Sequence, residues 1–598
     1  MIEPRVYRAA FVPALLALVL TMFSLQSRPR PLPQGLAADV LFDGRLAAIE
    51  SARIAEREPD RRPGRAGNLR TAALVARQLR AREFRVERLR FTHDGRQLEN
   101  VIGRRAGRTR RQIVVVAARD AAVVPEATGS AADTAALLEL ARVFEGRPSR
   151  KTLVLVSLDG SNVGEVGAAE LIGELGPPAL VDGVLVISDL ASPRREGPFV
   201  QAWSTDSRRA GIGLQRTVSE SIKQELDFEP RGSGPLGQLA RLSFPVGIGS
   251  QGLLIEAGYD AVRISGSGEL PPEGNGPLES IDEDTIGALG RATLRTVTAL
   301  EQGARPAHGP ESYVTAVSQV MPGWVLSLLA GTLLLPALVA AVDAFARARR
   351  RRIDVLPWLR WLGAWVAPFL AGLAVAEVLA LTGATPSPPP APVPPEVLPV
   401  DGPALAVMGG VAAAMALALV LARFLAARPD AGLVRPEGPG AGVAVALVLT
   451  VAALLLWLTN PYAGLLAVPA VHLWLLALLV RGSPPRRLRA LPLALGALPA
   501  LLVAVYYLVA LSMDPLAGAW YLLLLVTGDS VGPVTALVSC VMLGALCAAA
   551  ELIYRSPAPP AEEAAPDGPP VYGPGAYAGP GSLGGTESAL KGPSSSRR

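Results

Sequence analysis

Histidine, cysteine and lysine are scarce in this chain of 598 residues. Three histidines (His93, His308 and His472) leave little for imidazole-dependent chemistry. Two cysteines exclude a disulfide scaffold and a Cys-rich zinc module. Lysine occurs only at Lys151, Lys223 and Lys591, so the positive charge is almost all arginine. Together with abundant Ala, Gly and Pro, that bias reads as a GC-rich genome; the net charge is only +5, and no nucleic-acid partner is expected. Also missing are a Walker A loop, a nucleotide-binding G-x-G-x-x-G, a Ser-centred nucleophile elbow and a zinc finger. The G-x-G inside GIGSQG (residues 247–252) precedes a helix–strand pattern, and no cofactor is expected. Charged residues make up 18 % of the chain against 50 % hydrophobic, a balance that excludes a large wholly soluble enzyme.

What is present divides into a short start, a soluble block, an apolar half and a polar tail. Residues 1–8 (MIEPRVYR) precede an apolar run at 9–26. Because FSLQSRPRP offers no small-x-small cleavage site, the run reads as an uncleaved transmembrane anchor in preference to a signal peptide. Residues 35–312 alternate strand-like runs (RQIVVVAARD, KTLVLVSLDG, DGVLVISDL) with helical ones (GNLRTAALVARQLRAREF, TAALLELARVF, EVGAAELIGEL). That alternation predicts a three-layer α/β domain with a mainly parallel central sheet.

Seven further spans are expected within residues 316–554, at about 316–342, 357–383, 402–425, 440–459, 462–480, 490–512 and 531–554, forming an all-α transmembrane bundle. YLLLLV, after Trp520, is too short to cross and is expected to be interfacial or re-entrant. One set of connecting loops is rich in arginine, whereas 385–401, 459–462 and 513–530 contain no Lys or Arg. The positive-inside rule then puts both termini in the cytoplasm and residues 27–312 outside it, as in a multi-pass plasma-membrane protein. The Pro-rich loop 385–401 reads as an extended external connector, and residues 556–598 as a disordered cytoplasmic tail.

Within residues 45–300 a series of segments recurs in a familiar order: EPDRRPGRAGN, AREFRVERLRF, LENVIGRRAG, QIVVVAARDA, ATGSAADTAALLELARVF, LVLVSLDGSNVGEVGAAELI and VLVISDLAS. This series resembles the zinc-dependent aminopeptidase superfamily that includes aminopeptidase Y and the glutamate carboxypeptidase and transferrin receptor ectodomains. The resemblance implies a peptidase-like fold and a site for two zinc ions. Its ligands would be His, a bridging Asp, Glu, a second Asp and a second His, with a further Glu as general base.

Carried over residue by residue, that site is degenerate. Ala118 stands at the first His and Asp120 at the Asp that orients it; Gly129 replaces the bridging Asp. Ser161 replaces the base, Asn162 the Glu ligand, and Asp189 retains the second Asp. The last His would fall near Pro272, yet no histidine lies between His93 and His308. Hence no catalytic residue and no metal ligand set is expected. Another register could bring Asp133 or Glu165 into the cavity, but Asp133 reads better as the N-cap of TAALLELARVF. Arg119 would oppose a cation nearby.

Elsewhere, His93 reads as a turn residue, His308 as a linker residue, and His472 as a hydrogen bonder between helices. Glu377 is the one carboxylate well inside a span and thus an intramembrane candidate. Trp358, Trp361 and Trp365 suggest an interfacial belt. Cys540 and Cys547 sit too far apart along one helix for a disulfide.

The order of anchor, degenerate peptidase-like domain and seven spans is similar to that of the glycosylphosphatidylinositol transamidase subunit known as the anchor attachment protein. The resemblance implies a scaffold or receptor, with membrane lipid and partner subunits or a peptide as its ligands. Two alternatives are a membrane-anchored metallopeptidase with rearranged ligands and a transporter-like bundle with a sensor domain.

Overall fold

The computed structural model describes residues 4–33, 41–193, 197–230, 232–272, 274–426, 440–479 and 486–555. Its strands are β1 (Gln26–Ser27), β2 (Arg85–His93), β3 (Arg96–Arg105), β4 (Gln112–Ala118), β5 (Thr152–Leu158), β6 (Val181–Ser188), β7 (Phe199–Gln201), β8 (Ala261–Ser265), β9 (Tyr313–Ala316) and β10 (Gln319–Pro322). A seven-stranded sheet in the order β2–β3–β5–β4–β6–β8–β7 forms the centre of the α/β unit.

The sheet is mixed where the sequence predicts a mainly parallel one. β5, β4, β6 and β8 run parallel, whereas β2, β3 and β7 pair antiparallel at the margins. The reason at one edge is local. Asp94 and Gly95 both take positive φ (48° and 73°), a two-residue turn that folds β2 back on β3 and leaves His93 at the strand end. The four parallel strands are continuous apolar runs because helices cover both faces. Gly103 and Gly183 mark one face, under Ala66–Ala81 for the first and under Ile212–Leu226 and Glu283–Gln302 for the second. On the other face, Asn100 Nδ2 donates to Gly167 O of the helix Val166–Glu174. Val114, Val115 and Val116 are wholly buried, each stabilising the fold by roughly 1.5–3 kcal/mol.

Among the described residues, seven helices are long and apolar enough to cross a membrane: Gly323–Arg350, Leu356–Leu381, Gly402–Leu425, Ala441–Thr459, Pro461–Leu479, Arg487–Ala510 and Pro533–Tyr554. The first starts later than the sequence suggests, because residues 313–322 form the β9–β10 hairpin, which β1 joins as a third strand. The segment expected at 9–26 is apolar helix, Pro4–Ala9 and Val12–Phe23 with a break after Ala9. Together with the turn before it the apolar helix runs Tyr7–Phe23, about 26 Å at 1.5 Å per residue against a ~30 Å hydrocarbon core. Pro515–Thr527, with 13 residues, is too short to cross.

The loops without Lys or Arg all meet the α/β unit. Asn460 Nδ2 donates to Leu242 O (2.9 Å) and Ser243 O (3.2 Å). Tyr507 and Tyr521 share a buried cluster with Val246 and Ile248. The Pro-rich loop is no free connector: Ala391 is 1 % exposed and belongs to the α/β core. The tail 556–598 lies outside the described residues.

In the bundle, His472 receives the Tyr7 hydroxyl contact at Nδ1 (2.5 Å), and its Nε2 lies 2.8 Å from Leu333 O. Both ring nitrogens therefore join helices, as expected. Trp358 and Trp361 form no interfacial belt. Both are buried in the bundle core, edge to face at 5.9 Å, and Gly440 makes room for one indole, since a Cβ there would lie 2.6 Å from Trp358 Cδ1. Trp365 Nε1 donates to Glu551 (2.7 Å). Cys540 and Cys547 are free thiols.

Candidate functional site

In a parallel sheet the carboxyl ends of the strands open into a crevice that loops can line. Here β4 leads to Asp120, β5 to Ser161 and Asn162, β6 to Asp189 and β8 to Ser267. Gly160 and Gly164 take φ of 77° and 85°, which lets the chain turn sharply after β5. Asp120 holds that turn: its carboxylate accepts from Ser161 N (3.1 Å), Asn162 N (2.9 Å) and Asn162 Nδ2 (3.0 Å). Burial, reinforced by Asp159, pushes its carboxyl up to about 6.

The second group surrounds Asp189, whose backbone has a positive φ of 56°. Its Oδ2 accepts from Ser188 Oγ (2.6 Å) and Ser267 Oγ (3.0 Å). Asp133 is not the expected N-cap. The helix begins one turn earlier, at Ser130 behind Gly129, and Asp133 lies buried in that turn. Its carboxylate instead accepts from Asp189 N and Leu190 N, each at 3.0 Å, so it ties the helix to the end of β6. Burial, then the nearby Asp189, raises its carboxyl well above the ordinary range.

Gly129 stands between carboxylates. A Cβ there would sit 3.1 Å from Asp189 Oδ1 and 3.2 Å from Glu126 Cγ. Glu126 is a site residue that the sequence reading missed, although it lies three positions before Gly129. It accepts from Ala122 N (3.0 Å) and Ser130 Oγ (2.5 Å), and burial pushes it up to about 7. Arg61, wholly buried, binds the adjacent backbone through Glu126 O (3.2 Å) and also reaches Ser130 Oγ (3.1 Å). Glu165 is buried against the Ser250 hydroxyl, with its carboxyl raised by burial to about 7.

Ala118 ends β4 opposite Leu158 and offers only a methyl group. Arg119 does not face a cation site. Its guanidinium is fully buried beneath the crevice, bonded to Asn68 (2.7 Å), Ser157 (3.1 Å) and Glu99 O, and 3.3 Å from Asp159. Glu377 is half-buried on Leu356–Leu381, without a side-chain hydrogen bond or ion pair among the described residues, and is not part of the crevice. His308 is engaged by Asp260 (2.6 Å), whose hydrogen bond raises its pKa.

The crevice thus gathers Asp120, Ser161 and Asn162 on one side and Gly129, Asp189, Glu126 and Asp133 on the other. Among the described residues, no three His, Cys, Asp or Glu side chains converge in a metal-holding arrangement. The donor set does not fit two zinc ions: imidazoles are missing and Asp120 and Asp133 already receive backbone N–H groups. Against the mouth of the crevice lies the Pro-rich loop. Ala391 N donates to Gly164 O (3.1 Å), and a Cβ on Gly164 would come within 2.0 Å of Pro389 Cβ.

No family model matches the chain, and no curated protein matches it. Similar solved structures include the zinc aminopeptidase BSAP of Bacillus subtilis, at 12 % identity and TM-score 0.36, covering 47 % of this chain and 99 % of that one. A glutaminyl cyclase of an Acidobacteriales bacterium is 13 % identical (TM-score 0.35; 46 % and 99 % covered). LapB of Legionella pneumophila is 14 % identical (TM-score 0.39; 48 % and 81 % covered).

Proposed function

We propose that this protein is an integral membrane scaffold or receptor whose peptidase-like unit is non-catalytic and holds a peptide or partner subunit in its crevice. The observation that carries the reading is the donor set. Ala118, Gly129, Ser161 and Asn162 stand where two zinc ions would need anionic or imidazole ligands, and the oxygens of Asp120 serve the Ser161–Asn162 turn.

The bundle supports a lipid partner. A cavity of about 610 Å³ lies among Pro461–Leu479, Arg486–Ala510, Pro515–Thr527 and Pro533–Arg555, beneath Phe244 and Val246. Its lining is largely Ala and Leu, which suits a hydrocarbon chain. The order of domains resembles the anchor attachment subunit of glycosylphosphatidylinositol transamidase, and a lipid or lipoprotein is the substrate class of this reading. Arginine-free loops against the α/β unit support an orientation with that unit outside the cytoplasm and both termini inside, in the plasma membrane.

A metallopeptidase with rearranged ligands is the second reading, to which Glu126 and Asp189 on either side of Gly129 would contribute two carboxylates. The scaffold reading is tested by a photo-crosslinking amino acid at Ser161 of the full chain in its native membrane. Ultraviolet-dependent adducts of discrete mass at Ser161, missing from a control at Gly146, are expected. Equal labelling at both positions would remove the crevice as a binding site.

A further inference from the structure

A second pocket, of about 340 Å³, lies away from the crevice where the α/β unit meets the bundle. Four cations line it (Arg28, Arg209, Arg216 and Lys223) against two carboxylates, Glu220 and Glu229. Glu229 pairs with Lys223 at 3.5 Å and also attracts Arg28, while Glu220 accepts from the neutral Gln224, so the lining keeps two more positive than negative groups. Among the described residues, neither the Arg28 nor the Arg216 guanidinium has a hydrogen-bond or ion-pair partner. The Nε atoms of Arg28, Arg209 and Arg216 are all buried and unsatisfied.

Arg209 is 4 % exposed and lies between the rings of Trp203 (4.3 Å) and Tyr313 (4.2 Å). One of its terminal nitrogens binds Gln238 Oε1 (2.9 Å) and Tyr313 O (2.7 Å), fixing the guanidinium as part of a built wall. Arg28 is held below its ordinary pKa by burial and then by repulsion from Arg216. Arg209, buried without a carboxylate partner, and the buried Nε atoms of Arg28 and Arg216 lose solvation that Glu229, the carboxylate attracting Arg28, offsets only in part, unless an anion bridges the three.

Location narrows the anion. Arg28 follows the helix Val12–Phe23 by five residues, and its backbone N–H donates to Ser318 O in the hairpin leading into Gly323–Arg350. Thr315 and Val317 of that hairpin also line the pocket. A bilayer crossed by these helices would bring its headgroups near the pocket. Guanidiniums offer forked N–H pairs that match phosphate oxygens.

We propose that Arg28, Arg209 and Arg216 form a binding site for a phosphate group, presented either by an anionic phospholipid headgroup or by a free phosphate ligand. This goes beyond the scaffold reading and holds whether or not the crevice is catalytic. The test uses the full chain in dodecyl maltoside, with wild type beside Arg216→Gln and the double variant Arg28→Gln, Arg216→Gln. Phosphatidylglycerol, phosphatidylcholine and inorganic phosphate are the probes, read by native mass spectrometry and by thermal shift.

Wild type is expected to retain phosphatidylglycerol or inorganic phosphate in preference to phosphatidylcholine. The double variant should bind at least about tenfold more weakly. Without any probe its melting temperature should equal or exceed that of wild type, because two repelling cations are gone; this separates lost binding from misfolding. Retention of phosphatidylglycerol assigns the lipid source, and retention of inorganic phosphate alone assigns a soluble one. Equal binding by wild type and double variant, or no preference over phosphatidylcholine with no phosphate bound, overturns the site.

Discussion

Arg119 and Arg209 are both buried, yet they belong to regions that treat charge in opposite ways. Arg119, inside the α/β unit, is met by Asp159 at 3.3 Å and by acceptors from Asn68, Ser157 and Glu99. Arg209, at the junction with the bundle, has aromatic faces and two neutral acceptors but no carboxylate. The first arrangement is an internal strut: charge cancels charge, and the crevice above is held rigid. The second leaves positive potential open to whatever enters. A buried ion with a full set of partners contributes to architecture, while one with an incomplete set marks a place for a ligand.

The largest effect that would sharpen this contrast is expected from Arg119→Leu. It strands Asp159 in a dry interior and should destabilise the α/β unit by about 3–5 kcal/mol in chemical unfolding. The same exchange at Arg209, which strands no carboxylate, should lose less than half as much; equal losses would break the comparison.

Next comes Glu165→Gln, read as stability against pH. Burial raises the Glu165 carboxyl from 4.5 to about 7. Between those values the folded chain keeps a proton that the unfolded chain releases, so the contribution is complete below pH 4.5 and is lost as pH rises through 7. At pH 8 the variant should be roughly 3 kcal/mol more stable than wild type, and at pH 4 the two should coincide. A gain at both pH values would place the effect elsewhere.

Smaller still is Asn460→Ala, which removes the bonds to Leu242 O and Ser243 O. It should loosen docking by about 1 kcal/mol, seen as faster hydrogen exchange over residues 235–243 while the central sheet stays protected. Smallest is Glu377→Gln. With no partner to lose among the described residues, it should shift thermal stability by under about 0.5 kcal/mol and leave growth unchanged. A clear growth or flux defect would instead favour the transporter-like alternative.

The two regions also differed in how far the sequence could be read. In the α/β unit, apolar runs such as IVVVAA and LVLVSL specify buried strands, and motif order carried Asp120, Ser161, Asn162, Gly129 and Asp189 to one crevice. Glu126 and the bonding of Asp133 were not legible, because both depend on where the helix Ser130–Phe144 starts, one turn before its apolar run declares itself. In the bundle, hydropathy located the spans but not their packing. Trp358 and Trp361 look interfacial by position, yet both are buried in the core, where Gly440 leaves room for the Trp358 indole. Nor could the sequence show that the Pro-rich loop lies against Gly164, or that Arg28 meets Arg216. Those contacts join residues hundreds of positions apart, or nearly so, with no periodic signature.

The most direct test of the non-catalytic reading is metal content and turnover on the same preparation of the full-length protein. Zinc would be measured by elemental mass spectrometry after equilibration, together with hydrolysis of aminoacyl-anilides. The scaffold account predicts far less than one zinc per chain and no turnover above buffer. Stoichiometric zinc with hydrolysis, both abolished by Asp189→Ala, would contradict it.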